Sequence, residues 1–144
     1  MIAVRRPGVL LMLIGSLAIP ASALLAQNDP SLMQRGVYTS AQADRGKATY
    51  ASQCVDCHGP DLEGTSFGDG VPPLKREGFM AGKSLNEVLD KVKRAMPFNA
   101  PGTLADKAYL DVIAYVLREN GYPAGMQELG ADAELLKRAV LPQQ

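Results

Sequence analysis

The chain has 144 residues, and its 15 lysines and arginines balance its 15 aspartates and glutamates, so the formal net charge at pH 7 is zero. This balance excludes a strongly basic nucleic-acid binder. Hydrophobic residues make up 47% of the chain and charged residues 21%, which is typical of one globular domain. Aromatic residues are scarce at 6%, so we expect something other than large side chains to fill part of the core.

Residues 1–23 have the layout of a secretory signal peptide. Two arginines precede a short apolar run, and small residues follow it. The run is too short to cross a bilayer core, which needs roughly 20 residues. We therefore expect export to the periplasm with cleavage after Ala23, or after Ala26 as a second choice. Retention of the segment as a membrane anchor is the alternative.

The first helix is predicted to follow an irregular segment. Residues 24–38 have no hydrophobic period and contain Asn, Asp, Pro and Gly, which predicts a flexible lead-in. Thr39 and Gln42 then have the spacing of a capping box, in which side chains satisfy the free amides of a helix start. A helix over about residues 40–52 follows from this signal.

Two more helices are predicted further along the chain. Ser84 and Glu87 form a second capping box, followed by apolar residues at helical spacing until Pro97 stops the helix. A third helix is predicted to open at Thr103, and Gly121 closes it. Its apolar face is formed by Leu110, Ile113, Ala114 and Leu117.

A long loop and a tail complete the chain. Residues 59–83 hold six glycines and three prolines, and a loop of this length in a compact domain needs a reason, such as wrapping a large ligand. Residues 121–144 are predicted to be a C-terminal extension. Within them, residues 126–140 carry a weak pattern for a short fourth helix.

The motif that carries chemistry is Cys54-Val55-Asp56-Cys57-His58, which contains both cysteines and the only histidine of the chain. The Cys-x-x-Cys-His spacing is typical of covalent haem c attachment, in which each thiol forms a thioether and the imidazole binds the iron. One alternative is a zinc site, which needs four ligands where the motif offers three. The other is a redox disulfide, which needs a βαβ context that these helices do not supply.

The second axial ligand of the iron decides the chemistry. Met96 is the preferred candidate, because Pro97 ends the preceding helix and fixes an extended turn that can point the thioether inward. Met80 is the second choice, since its glycine-rich neighbours hold a ligand poorly. A thioether opposite an imidazole raises the reduction potential and occupies both axial positions. His58 and Met96 are therefore predicted as the metal ligands of an electron-transfer site.

An acceptor for the other ring nitrogen of His58 is also expected, because a ligating imidazole normally donates its second N–H to a fixed group. A stiff turn at residues 71–74 follows the attachment motif. The carbonyl of Pro72 is the first choice for this acceptor, and that of Pro73 is the second. The alternative is that both prolines only stiffen the loop.

Over about residues 39–119 the sequence resembles class I cytochromes c. The shared features, in the family's order, are Gly46 and Tyr50, the attachment motif with Gly59, Pro72-x-Leu74, Met96-Pro97, and Val112 with Tyr115. The resemblance implies an all-α cytochrome c fold, with three main helices and shorter ones packed around a covalently attached haem. It also implies a domain over residues 39–120 in which the first and last main helices cross, and a glycine at the crossing lets them approach closely.

Basic residues are concentrated near Met96 in the sequence. They are Lys75, Arg76, Lys83, Lys91, Lys93 and Arg94, whereas Asp56, Asp61, Glu63 and Asp69 flank the attachment motif. If the basic set surrounds an exposed haem edge, it steers an acidic partner towards that edge. The alternative is an ordinary solvated surface.

The sequence therefore predicts a periplasmic monohaem cytochrome c that carries single electrons between redox proteins, such as a dehydrogenase, an oxidase or another cytochrome. On this interpretation the chain is not itself an enzyme. The main alternative is an electron-accepting subunit of a periplasmic, quinoprotein-type dehydrogenase. A haem sensor or peroxidase-like enzyme with an open sixth site is the third. We expect no nucleic-acid partner, and no membrane contact unless residues 1–23 remain as an anchor.

Overall fold

The structure, a computed structural model, describes residues 28–65 and 70–142. Its helices are α1 (Pro30–Arg35), α2 (Ser40–Gln53), α3 (Val55–His58), α4 (Leu85–Ala95), α5 (Asp106–Glu119) and α6 (Ala133–Arg138). In the same ranges, extended segments pair only at two isolated antiparallel bridges, Thr65–Val71 and Ser84–Val140, and no helix is long and apolar enough to span a membrane. The all-α prediction is confirmed. The predicted signal peptide lies outside the described residues.

A glycine brings α2 and α5 into close contact. A Cβ atom at Gly46 would overlap the backbone carbonyl of Asp111 on α5. One turn further along each helix, the ring centroids of Tyr50 and Tyr115 lie 5.3 Å apart, with the planes inclined by 55°. Tilted aromatic pairs of this kind add to the stabilisation from apolar burial. The structure therefore has the predicted crossing of the first and last main helices at Gly46.

The helix starts follow the predicted caps to different degrees. At α4 the capping box is complete, because the Ser84 hydroxyl accepts from the Glu87 amide and the Glu87 carboxylate accepts from the Ser84 amide. At α2 only half of the box forms. The Thr39 hydroxyl accepts from the Gln42 amide, but the Gln42 side chain instead reaches the C-terminal stretch. A long-range contact thus replaces the local one.

Proline ends α4 as predicted. The helix stops just before Met96, which is extended at φ −131° and ψ 151°, the conformation that a following Pro97 favours. The next helix begins at Asp106, later than the predicted opening at Thr103. The Thr103 hydroxyl does not cap that helix, because it donates to the carbonyl of Ala100 in the preceding turn.

The lead-in predicted over residues 24–38 contains the short helix α1 in its described part, residues 28–38. Asp29 caps α1, and Met33 on this helix is buried in the main core. The Tyr38 hydroxyl donates to the carbonyl of Tyr122 at 2.5 Å. Because α1 has only six residues, its apolar period is too short to be recognised in the sequence, and its order comes from tertiary packing.

The C-terminal extension packs into the same core as the helices. Leu129, Leu136 and Leu141 are buried together with Leu85 at the start of α4. The weakly predicted helix over residues 126–140 is limited to α6, where the Asp132 carboxylate accepts from the first free amides. Residues 121–142 are therefore part of the packed body that surrounds the site.

The glycine-rich segment between α3 and α4 is tied to the rest of the fold by backbone and side-chain hydrogen bonds. Leu62 is buried, and its carbonyl accepts from the amide of Leu74 at 2.8 Å. At the end of α5, the Asn120 side chain donates to the Leu74 carbonyl at 2.8 Å and accepts from the Arg76 amide at 3.1 Å. These bonds fix the turn that follows Pro72 and Pro73.

Candidate haem site

The attachment motif begins at Cys54, the single residue between α2 and α3, and its other four residues form α3. The amide of Cys54 donates to the carbonyl of Tyr50 and ends α2, while the amide of His58 donates to the carbonyl of Cys54, both at 2.9 Å. Gly59 then reverses the chain at φ +75°, a conformation that glycine adopts without strain. The two cysteines and the histidine are thereby held within one short helical turn.

All the side chains predicted to bind haem line one cavity of about 550 Å³. This volume is in the range of about 300–1,000 Å³ that is usual for cofactor pockets. The predicted members are Cys54, Cys57, His58, Pro72 and Met96, and the second-choice residues Met80 and Pro73 also line it. The rest of the lining is mostly apolar and includes Leu74, Phe79, Leu85, Val88, Val92, Phe98, Val112, Ile113, Val116, Leu117 and Leu141.

Burial shifts the pKa of two groups in the cavity that would bind haem, Cys54 and His58. Cys54 and Cys57 are not joined in a disulfide. Burial, with a smaller contribution from Cys57, raises the pKa of the Cys54 thiol to about 11. Burial also lowers the pKa of His58, so its imidazole is uncharged at pH 7, which is the form that binds a metal. The charged side chains of the described lining are Arg76 and Lys91.

His58 retains an unused hydrogen-bonding atom. The residue is 7% exposed, and its buried Nδ1 has no hydrogen-bond partner within residues 28–65 and 70–142. The expected hydrogen bond to the carbonyl of Pro72 is therefore not formed in this structure, although Pro72 lines the same cavity. The role of Pro72 as the acceptor stays a prediction.

Met96 is held by its backbone at the wall of the cavity. The hydroxyl of Tyr109 donates to the Met96 carbonyl at 2.9 Å, and the amide of Gly102 donates to the same oxygen at 3.2 Å. Tyr109 is buried on α5, so the position of Met96 depends on a different helix from the one that Met96 terminates. Met80 has a positive φ of 52°, which is uncommon for a residue with a side chain.

Three residues that hold or line the site were not singled out for these roles by the sequence. The Tyr50 hydroxyl donates to the Gly59 carbonyl at 2.6 Å, directly after His58. Tyr109 holds Met96, and Leu141 lines the cavity. Tyr50 was recognised only through the helix crossing, whereas Tyr109 and Leu141 carry no local signal, because their partners are distant in the sequence.

The residues present fit a covalently bound haem. Two thiols, a neutral buried imidazole with an unpartnered ring nitrogen and a thioether line one apolar cavity, and this donor set suits haem c. The fold and the site define a c-type cytochrome domain. Residues 41–116, more than half of the chain, match the family described as cytochrome c oxidase, cbb3-type, subunit III, and the chain belongs to that family.

Family membership decides among the three interpretations of the Cys-x-x-Cys-His motif. The chain binds haem c, with its iron, covalently, and Cys54 and Cys57 have the spacing that this attachment requires. The zinc and redox-disulfide interpretations are set aside.

Curated relatives include two thiosulfate dehydrogenases. The protein from Stutzerimonas stutzeri is 35% identical over 78 residues, which cover 50% of this chain and 25% of the relative. The protein from Allochromatium vinosum is 35% identical over 79 residues, which cover 50% of this chain and 29% of the relative. A chain in the crystal structure of the sulfane dehydrogenase SoxCD from Paracoccus pantotrophus is 28% identical, with a TM-score of 0.48, over 90% of this chain and 68% of that one.

Proposed function

We propose that this chain is an exported electron carrier that transfers single electrons between redox proteins, with His58 and Met96 as the axial ligands. The observation that carries the proposal is the presence of both side chains, with both cysteines, in one largely apolar cavity. A bound haem c supplies a one-electron Fe(III)/Fe(II) couple. The protein's own residues determine how tightly that couple is held and which partners reach it.

Each ligand has a distinct task in this proposal. Cys54 and Cys57 hold the porphyrin through thioethers, so the cofactor stays attached in either oxidation state. Neutral His58 donates a ring nitrogen, and the Met96 thioether favours the ferrous state and raises the potential. With His58 and Met96 both bound to the iron, small molecules such as oxygen would find no free site there. This arrangement favours electron transfer over catalysis on a bound substrate.

The rim of the cavity offers a surface for partner proteins. Phe98 lines the cavity and is 83% exposed, and exposed Arg76 and Lys91 line it as well. Three other members of the basic set pair with carboxylates, since Lys93 lies 2.6 Å from Asp106, Lys83 lies 3.1 Å from Glu87 and Lys75 lies 3.9 Å from Glu119. The last member, Arg94, does not line the cavity. We therefore assign the steering of an acidic partner to Arg76 and Lys91, with Phe98 as the apolar contact.

A kinetic comparison tests this surface. Oxidation of the reduced protein by the anion ferricyanide is expected to slow as salt is added, because screening weakens attraction at the rim. Arg76→Ala and Lys91→Ala lower the rate at low salt and flatten its salt dependence. Lys47→Ala on α2 removes one exposed charge away from the cavity and serves as the control. Equal salt dependence in all variants would exclude steering by the rim.

A second candidate function is an electron-accepting unit that serves a periplasmic dehydrogenase. The observation that favours it is the identity with two thiosulfate dehydrogenases, of whose length this chain spans about a quarter to three tenths. On this proposal a separate catalytic unit oxidises a reduced sulfur substrate, and this chain accepts the electrons that the oxidation releases. Purification from native periplasm distinguishes the two, since a dedicated acceptor co-purifies with a dehydrogenase in fixed ratio and a free carrier does not.

Export through residues 1–23 is part of the proposal, because haem is attached to such motifs outside the cytoplasm. N-terminal sequencing of the protein isolated from the periplasm tests it. A mature chain that starts at residue 24, or at residue 27, is the expected result. A haem-loaded protein that keeps residues 1–23 would support the anchor alternative.

The axial ligand is tested by replacing each of the two methionines that line the described cavity. The ferric wild type should have the weak long-wavelength absorption band of an iron–thioether bond. Met96→Ala should keep the covalent haem, lose that band and lower the reduction potential. Met80→Ala is the matched control and should keep both. Loss of the band in the Met80 variant, or its retention in the Met96 variant, would overturn the assignment.

A further inference from the structure

Residues 139–141, termed the C-terminal strap here, pair with the chain just before α4. The amide of Leu141 donates to the carbonyl of Lys83, and the amide of Gly82 donates to the carbonyl of Leu141, both at 2.9 Å. The amide of Leu85 donates to the carbonyl of Ala139, also at 2.9 Å. Leu85 is the first residue of α4, so the strap satisfies an amide that the helix itself leaves free.

The strap places a side chain in the wall of the haem cavity. Leu141 is 1% exposed and lines the cavity together with Cys54, Cys57, His58 and Met96. Leu85, which pairs with Ala139 of the strap, is fully buried and lines the same cavity. A segment far beyond the third main helix thus completes an apolar surface that would face the bound cofactor.

Contacts made just before the strap connect it to the rest of the fold. Leu136 on α6 is buried in the main core just before the strap. The carbonyl of Arg138 accepts from the amide of Asp29 at 3.0 Å, which joins the end of α6 to the start of α1. The strap and the residues just before it therefore contact three parts of the fold, namely α4, the start of α1 and the main core.

We infer that the C-terminal strap forms a functional part of the wall of the haem pocket. In this role Leu141 keeps water and small ligands away from the iron and raises the reduction potential of the iron. The inference rests on the proposed function for its axial ligands. Its physical basis is charge. An apolar wall disfavours the ferric state, which carries one more positive charge than the ferrous state, and contact with water relieves that penalty.

Two leucine truncations in the full-length, haem-loaded protein separate this role from ordinary packing. Leu141→Ala opens the wall, whereas Leu136→Ala removes an equally buried side chain of the same core that does not line the cavity. Both variants should unfold at a lower temperature than wild type. Only Leu141→Ala should have a lower reduction potential than wild type. In the ferric state, this variant alone should bind added imidazole several-fold faster. Equal potentials and binding rates in the two variants would overturn the inference.

A milder variant covers the case in which Leu141→Ala does not accumulate with haem. Leu141→Val keeps the backbone pairing and an apolar side chain, and it should shift both readouts in the same direction by less. Hydrogen exchange on the wild type adds an independent measurement, in which the amides of Gly82, Leu85 and Leu141 exchange slowly. Fast exchange at these amides would show that the strap is detached and would contradict the inference.

Failure of the inference and failure of the proposed function give different results. A haem-loaded wild type that does not exchange electrons with ferricyanide contradicts the electron-carrier proposal, whatever Leu141 does. Loss of the iron–thioether band in the Met80 variant contradicts the ligand assignment. A third result is a protein that exchanges electrons with ferricyanide and keeps the band in the Met80 variant. If substitution of Leu141 then changes neither the reduction potential nor the rate of imidazole binding, only the role of the strap is contradicted.

Discussion

The side chain of Gln42 pairs with both backbone groups of Leu129. Its Nε2 donates to the Leu129 carbonyl at 2.9 Å, and its Oε1 accepts from the Leu129 amide at 2.7 Å. Gln42 is 1% exposed, so water does not replace either bond. Gln42 lies on α2, 87 positions before Leu129. The pair therefore attaches to α2 the stretch that leads to α6 and the C-terminal strap.

We expect Gln42→Ala to lower the free energy of unfolding by about 2 kcal/mol or more, since a buried backbone group left without a partner costs roughly 1–3 kcal/mol. Urea unfolding of the haem-loaded protein measures the change. Gln127→Ala, an exposed glutamine in the same stretch, is the control and should leave the midpoint unchanged. If the urea midpoints of both variants equal that of wild type, the Gln42–Leu129 pair does not have this stabilising role.

Gly46 lies at a second contact between distant parts of the chain, where α2 packs closely against α5. Because a Cβ atom there would overlap the Asp111 carbonyl, Gly46→Ala must push α2 away from α5. Overpacking of this kind costs about 1–3 kcal/mol. Thermal unfolding should show a lower midpoint for this variant. Gly130→Ala is the control, since a Cβ at Gly130 meets nothing within 4 Å, and it should unfold as wild type does.

Asp111 is buried on α5 and is bound by cations from two helices. Arg45 on α2 donates to its carboxylate at 3.0 and 3.1 Å, and Lys107 donates at 3.2 Å. Glu128, in the C-terminal stretch, binds both cations in turn. Burial acts to raise the pKa of Asp111, but the hydrogen bonds from Arg45 and Lys107 outweigh it and hold the pKa below its usual value.

This lowered pKa gives a pH dependence with a definite sign. The carboxylate stabilises the fold above its unfolded pKa of about 3.9 and loses that contribution as pH falls through the lower folded pKa. We therefore expect Asp111→Asn to be less stable than wild type at pH 7, with a gap that narrows below about pH 4. Urea unfolding at neutral and acidic pH measures the gap. The exposed Asp44→Asn is the control, and a constant gap for Asp111→Asn would contradict the account.

Tyr109 is expected to stabilise the position of Met96. Tyr109→Phe removes the hydroxyl that donates to the Met96 carbonyl, and Tyr38→Phe removes an equally buried hydroxyl that donates to Tyr122 away from the cavity. Each variant should lose about 1 kcal/mol of stability. Only Tyr109→Phe should lose its iron–thioether band well below its own unfolding temperature, as followed by absorbance on heating. Parallel loss of band and fold in both variants would exclude this role.

Features that depend on a few adjacent residues were predictable from the sequence. The attachment motif, the capping box at Ser84 and the helix stop at Pro97 are local, and the structure has the two helix signals where the sequence places them. The contact at Gly46 followed from the family resemblance, with close helix approach as its physical reason. Met96 was selected by the same local argument, and its role as a ligand stays a prediction.

Features that depend on tertiary contacts were not predictable. The sequence predicts that the Gln42 side chain completes a capping box. In the folded chain it instead bonds to the buried backbone of Leu129, a partner that is close to Gln42 only after folding. The lead-in has polar and glycine residues that suggest flexibility, yet Met33 is buried against the core. Leu141 stands in a weakly patterned tail, and pairing with residues 82–85 turns it into part of the cavity wall.

The central claim is that one haem is bound covalently through Cys54 and Cys57 in the cavity that His58 and Met96 line. Intact-mass measurement of the protein isolated from the periplasm, followed by mass mapping of its peptides, tests it most directly. The account predicts the mass of the chain plus one haem, located on the peptide that contains Cys54, Cys57 and His58. The mass of an unmodified chain, or a haem on any other peptide, would contradict it.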